Sequence, residues 1–430
     1  MRFWKLSSFL VLVLVGVFVM TSNVYSDETS EAILKLLIKK GIISQGEVNQ
    51  IKSEIRRARP SVSRNLEQRL SKLEQKQKDT PQWLSNFKIK GDLRLRNEYI
   101  ANDQGQDNNR QRLRFRLGAT TKLNEQVKLG FGFATGSTDT PTSTNQTLEN
   151  EFDSKNIWLD YAYAKYQPYE WLEFTGGKFK SPFFHTDMLW DSDIRFDGFA
   201  GKLTHKLGEN GNYPTSLYLT NGYFPIDDAN TSEGDDVYLV ATQIGSETKF
   251  ADGYAKLKTG LTYYNFRNVG GALISTFNEE RGTNTLNTGG TAFAYDYRVL
   301  SPTMKVSFED LFGIVDVPWG FLYEYAHNFD DAKEDNAWRT GFWLGKSKVK
   351  KKKDWKFLWQ YSRLEADAFL DVFPDGDFNG AGTDAKGWEI IFDYGLTDNI
   401  ILSLDYYNTE SLSSDISDQQ IVQADVIFKF

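Results

Sequence analysis

The sequence predicts an all-β membrane protein: about sixteen antiparallel strands closed into a transmembrane barrel, preceded by a short α-helical, coiled-coil extension. Three observations predict it. From residue 84 onward, apolar and polar residues alternate with a period of two in segment after segment. Short connections between these segments alternate with longer ones rich in Gly, Ser, Thr, Asn and Asp. The last segment, QIVQADVIFKF, is itself amphipathic and ends on Phe430.

The chain has 430 residues, of which 40% are hydrophobic and 15% aromatic. Such a mixture suits two-faced strands, because lipid-facing and lumen-facing residues average out. Cysteine is absent, which suits passage through an oxidising compartment. A net charge of −8 argues against a nucleic-acid partner.

Residues 1–26 read as a secretory signal peptide. Arg2 and Lys5 precede the apolar run Phe9–Met20, and Val24-Tyr25-Ser26 places cleavage before Asp27. No other stretch is apolar and long enough for a membrane helix, so strands must do the spanning. Residues 27–59 are expected to form a periplasmic helical hairpin. Ile33, Leu34, Leu37 and Ile38 recur at helical spacing, Gly41 interrupts, and Ser44 stands three residues before Glu47 as in a capping box. Residues 60–83 are expected to be a short coiled coil and linker, with Leu66, Leu70 and Leu73 as its seam. The seam is either a trimerising stalk or a solvated linker helix.

The barrel is expected over 84–430. Its first strands, NFKIKGDLRLRNEY and RLRFRLGATTKL, put Ile89, Leu93, Leu95, Leu113, Phe115 and Leu117 on one face. The opposite, even-numbered face carries Arg94, Arg96, Arg110, Arg112, Arg114 and Arg116. These arginines are expected to line the lumen, because an Arg facing lipid near the midplane costs about 2–4 kcal/mol. There they form either an anion-attracting ladder or a cluster neutralised by Asp92, Glu98 and other acids. Compact connections at 124–126, 167–170, 207–214, 249–253, 309–316, 347–354 and 396–399 alternate with longer ones at 137–154, 224–235, 267–292 and 366–385. This asymmetry belongs to outer-membrane barrels, with both chain ends on the periplasmic, short-turn side. Phe428 and Phe430 resemble the signal read by the barrel-insertion machinery. The lysine-rich turn KSKVKKKKDW reads as a solvated periplasmic turn. The stretch DVFPDGDFNG reads as a solvated external loop without a calcium-loop pattern. Trp171, Trp319, Trp338, Trp355 and Trp388 stand near strand ends, as an interfacial girdle requires.

The hairpin at 34–48, the strings GDLRLRNEY and RQRLRFRLG, and GGKFKSPFF followed by DIRFDG carry a resemblance to the bacterial outer-membrane putative porin family, extending over the whole chain. The resemblance implies a water-filled channel for passive diffusion of small polar or ionic solutes, assembled as a homotrimer among outer-membrane lipid and lipopolysaccharide. It also implies that the loop between strands five and six, SPFFHTDMLWDSD, folds inward. Asp187, Asp191 and Asp193 would then face the arginines across a constriction; the other reading is an ordinary external loop. A structural tether or adhesin with no open channel is the alternative function. An enzyme is not expected: the three histidines, His185, His205 and His327, stand in no catalytic or metal-binding pattern. No cofactor, metal or catalytic residue is expected.

Overall fold

The computed structural model describes residues 35–41, 43–50, 53, 82–136, 141–208, 211, 213–228, 235–250, 253–274, 282–311, 313–413 and 417–430. The chain divides into two units, Met1–Pro81 and Gln82–Phe430. In the first, residues 35–39 and 45–50 are helical. The Ser44 N–H donates to Glu47 Oε2 at 2.7 Å and the Glu47 N–H donates to Ser44 Oγ at 3.3 Å, the reciprocal bonds of a capping box. The signal segment and the seam at Leu66, Leu70 and Leu73 lie outside the described residues.

Among the described residues, the second unit contains seventeen strands, one of them the two-residue strand Gln146–Thr147. The other sixteen (17 − 1) are β1 (Lys88–Asn102), β2 (Asn108–Lys122), β3 (Val127–Thr135), β4 (Ile157–Tyr169), β5 (Leu172–Lys180) and β6 (Arg195–Leu207). There follow β7 (Thr215–Asp227), β8 (Val237–Phe250), β9 (Ala255–Arg267), β10 (Arg298–Phe308) and β11 (Trp319–Asn328). The last are β12 (Asn336–Gly345), β13 (Trp355–Leu364), β14 (Ala385–Gly395), β15 (Ile400–Ser411) and β16 (Gln419–Lys429). Each pairs antiparallel with its sequence neighbours, and β1 pairs with β16, so the sheet closes. Closure removes the exposed edges that an open sheet of this size would carry. The helices among the described residues include none long and apolar enough to cross a membrane.

Directly opposed residues share a face, so the register carries one parity round the wall. Asp92, Arg94, Arg96 and Glu98 on β1 oppose Arg116, Arg114, Arg112 and Arg110 on β2. The same face takes in Gln423 and Asp425 of β16, Gln360 of β13 and Glu324 of β11. Leu95, Phe131, Phe174, Phe199, Ile244, Phe392 and Leu404 are exposed on the other side. These large apolar groups would be costly in water and suit a hydrocarbon surround. The terminal residue is tied into the seam: the Gly91 N–H donates to the Phe430 carbonyl at 2.8 Å, and the Phe430 N–H to the Gly91 carbonyl at 3.1 Å.

Two glycines shape the wall beside β4. A Cβ on Gly130 would stand 2.5 Å from the Tyr163 ring, and one on Gly132 would collide with the Tyr161 ring. The glycines thus let two tyrosines lie across β3 inside the barrel. Gly132→Val is therefore expected to destabilise the barrel by about 1–3 kcal/mol, the usual cost of overpacking. The readout is the temperature at which the folded form converts to the unfolded form on semi-native gels. Adding Tyr161→Ala should recover most of the loss; an unchanged transition in Gly132→Val would show that the ring does not sit there.

Candidate functional site

Two long loops lie inside the barrel. The first, 181–194, joins β5 to β6. Its Phe184 N–H donates to Gln243 Oε1 on β8 at 2.8 Å, and its Thr186 N–H donates to Glu324 Oε2 on β11 at 2.8 Å. Met188 and Leu189 are fully buried. The second, 365–384, joins β13 to β14. The reading of DVFPDGDFNG as a solvated external loop is overturned: Ala368, Phe369 and Leu370 have no exposed surface, and Asp371, Val372, Phe378 and Asn379 are buried. The physical reason is apolar content. Phe369, Leu370, Val372, Phe373 and Phe378 fall within ten positions, too dense a run to leave in water. That density was the available signal.

The loops pack on each other through aromatic rings. Trp190 of the first lies 4.6 Å from Phe373 and 5.2 Å from Phe369 of the second, centroid to centroid. Phe196 of β6 and Tyr264 of β9 close the cluster at 4.5 and 5.8 Å from Trp190. Asp191 is the polar clamp. Its backbone N–H donates to the Phe373 carbonyl at 2.8 Å, and its carboxylate accepts the Gly376 N–H at 2.9 Å. A third loop, 268–297, holds the second from the other side: Asn284 Nδ2 donates to the carbonyls of Ala366 and Phe369 at 2.7 and 2.9 Å. Asn379, Ala381 and Asp384 adopt positive φ of 52°, 79° and 56°. Non-glycine residues hold such backbone only where contacts over-determine it.

All six predicted arginines face the lumen, and each is paired. Arg96 takes Asp425 with Nε at 2.7 Å and Nη2 at 2.9 Å, and reaches Asp377 of the second loop at 3.2 Å. Arg94 lies 3.5 Å from Asp425 and donates to Asn145 at 2.6 Å. Arg110 and Arg112 share Glu98, the latter at 3.3 Å. Arg114 and Arg116 share Asp92 at 2.8 and 2.9 Å. Six cations thus meet five carboxylates, Asp92, Glu98, Asp193, Asp377 and Asp425, an excess of one (6 − 5). Of the two readings left by the sequence, the neutralised cluster is the one observed.

The three loop acids do not form one face. Asp193 alone meets the cluster, 3.3 Å from Arg116, while accepting from Thr144 N and Oγ1 at 3.1 and 2.8 Å. Asp187 pairs instead with Arg339 on β12. Burial works to raise the Asp193 carboxyl, but Arg116 and Arg114 outweigh it and hold it at about 2. Burial, reinforced by Asp193, pushes the Asp191 carboxyl up to about 7.

The combined effect is a filled middle. Near the centre of the strands, Arg96, Arg114, Thr220, Gln243, Glu324, Arg339, Gln360 and Gln423 all face inward and all are buried. On the short-turn side the lumen opens into a cavity of about 790 Å³ lined by Lys90, Lys128, Lys180, Lys202, Lys429 and the paired Arg116 and Asp92, among others. The turn at 346–354, expected to be fully solvated, carries a buried Val349 whose carbonyl lies 3.4 Å from Lys429 Nζ. Among the described residues no group of acids and histidines is placed to hold a metal.

A family model described as a putative porin matches residues 99–299 and 293–430. No curated protein matches the chain. Among solved structures the fold is similar to that of OprB from Pseudomonas putida at high pH: 11% identity over 80% of this chain and 94% of that one, TM-score 0.51. Salmonella typhi OmpF in complex with daunomycin aligns at 11% identity over 80% of this chain and 97% of that one, TM-score 0.47. The trimer form of in-vitro folded OmpT from Vibrio cholerae aligns at 14% identity over 80% and 99%, TM-score 0.44. With a closed sixteen-stranded barrel and family matches running from residue 99 to residue 430, the chain belongs to the putative porin family.

Proposed function

We propose that the protein is an outer-membrane channel of narrow bore, passing small polar or ionic solutes by diffusion, with the short turns and both chain ends on the periplasmic side. The observation that carries this reading is the lumen lining. Arg94, Arg96, Arg112 and Arg114 stand inside the barrel with Asp92, Glu98 and Asp425, where apolar packing would avoid the desolvation cost of buried charge. A route for polar solutes gives that cost a use. Assembly as a homotrimer belongs to the same reading and rests on the leucine seam. The burial of wall residues near mid-strand favours a second reading, a structural tether with no open channel.

Conductance separates the two. In a planar bilayer the full-length protein is expected to give small, discrete current steps. Deleting residues 369–380 should enlarge them about twofold or more, since the loop fills the pore cross-section. A protein silent both before and after the deletion is a tether.

Charge sets the second expectation. Replacing Arg94, Arg112 and Arg114 by glutamine leaves Asp92, Glu98 and Asp425 undercompensated. The reversal potential in a salt gradient should move toward cations, and less so at about 1 M salt, where the Debye length is about 3 Å. An unmoved potential at low salt would place these arginines outside the conducting path.

Acidity sets the third. Burial, reinforced by Asp193, pushes the Asp191 carboxyl up to about 7, above its unfolded value. Because the folded value is the raised one, its contribution to loop attachment is complete below about pH 4, the unfolded value, and is lost as pH rises through about 7. Ionisation then sets Asp191 against Asp193 and Asp377. Conductance is expected to rise as pH passes through that value, and Asp191→Asn should flatten the dependence. A wild-type profile without a transition near that pH would reject the clamp.

A further inference from the structure

The cavity on the short-turn side holds charge that the barrel does not balance. Eight cationic side chains line it against three side-chain carboxylates, a surplus of five (8 − 3). Each carboxylate is already engaged: Asp92 by Arg116 at 2.9 Å, Asp160 by Arg195 at 3.2 Å and Glu173 by Lys165 at 2.7 Å. Lys90, Lys128, Lys180, Lys202 and Lys429 have no carboxylate of the described residues within 4.0 Å. The Lys202 ammonium lies instead over the Tyr218 ring, 5.1 Å from its centroid.

The strand register makes the surplus costly. Lys128 stands directly opposite Lys165 and Lys180 opposite Arg195; Lys202 and Lys429 stand opposite Glu173 and Asp92, carboxylates already engaged elsewhere. Like charges in opposed positions destabilise a sheet. Folding alone gains nothing from two such pairs in one cavity. Hydroxyls of Thr120, Thr175, Thr220 and Ser181 also face the cavity and can donate hydrogen bonds.

We propose that this cavity is a binding site for free polyvalent oxyanions, molecules bearing two or more phosphoryl or carboxylate charges, which bridge the opposed lysines. The site lies inside the barrel wall, so a soluble anion is the ligand. The inference deepens the channel reading, which supplies the route by which such an anion enters or leaves.

Calorimetric titration of the full-length, detergent-solubilised protein with sodium tripolyphosphate tests it, with sodium nitrate at equal ionic strength as control. Saturable binding of tripolyphosphate alone is expected, weakening as salt is raised. Lys128→Gln/Lys180→Gln/Lys202→Gln should weaken it about tenfold or more, by loss of Coulomb attraction. The corresponding triple Arg variant should retain it. Should the triple Gln variant fail to fold, Lys202→Gln alone must still weaken binding by about threefold, the share of one charge. Equal affinity in wild type and Gln variants, or no preference over nitrate, overturns the proposal. Bilayer recordings keep the two readings apart. A protein that binds tripolyphosphate but never conducts keeps the site and loses the channel; one that conducts but does not bind it loses the site alone.

Discussion

Arg96 joins three parts of the chain that are far apart in sequence. It stands on β1, grips Asp425 of β16 with two hydrogen bonds, and reaches Asp377 of the loop between β13 and β14. The first contact crosses the seam where the barrel closes; the second fixes a loop within it. The pair is buried, so both its charge match and its two-pronged geometry matter: a guanidinium without a matched carboxylate would be strongly destabilising there. Glu98, 3.7 Å away, relays the compensation to Arg112. Closure, lumen electrostatics and loop position are therefore one problem with one solution, and a change at any of these residues leaves the others uncompensated.

The inward loops divide the work between two kinds of interaction. Apolar contact supplies the bulk: Trp190, Phe369, Phe373, Phe266 and Tyr264 form a core inside the barrel that a hollow cylinder would lack. Hydrogen bonds supply position. Thr283 Oγ1 and Asn284 from one loop, and Asp191 from another, satisfy buried backbone groups of 365–384. Buried backbone groups left unpaired would each cost about 1–3 kcal/mol, so these side chains decide which loop conformations are allowed.

The period-two alternation made the strands readable, because which face a residue takes is decided by its immediate neighbours. Parity alone placed Arg94 to Arg116 inside the barrel, and the connections marked the two rims. What could not be read was pairing across the lumen. Nothing local tells Arg96 that its partner is 329 positions away at Asp425. Asp191 likewise meets Gly376 only because two loops fold inward together, 185 positions apart. The sequence reading therefore set three acids against six arginines, whereas the chain distributes them: Asp193 to Arg116, Asp187 to Arg339, and Asp191 to a backbone amide.

That distribution changes the direction of the field a solute would meet. Arginines facing acids across a gap would polarise the constriction from wall to wall. Here the opposite charges lie within hydrogen-bonding reach of each other, and closely matched pairs project little field beyond their own length. The unmatched charge sits elsewhere, on the lysines of the short-turn rim. Charge separated along the barrel axis, with a near-neutral middle and a positive mouth, acts on a solute before it reaches the narrow part. In the channel proposed above, such a mouth would sort ions by sign and valence at entry. The filled middle would then sort by size. Selection by charge and selection by size would then fall to different residues, so altering the lysines need not disturb the packing of Trp190 and Phe369.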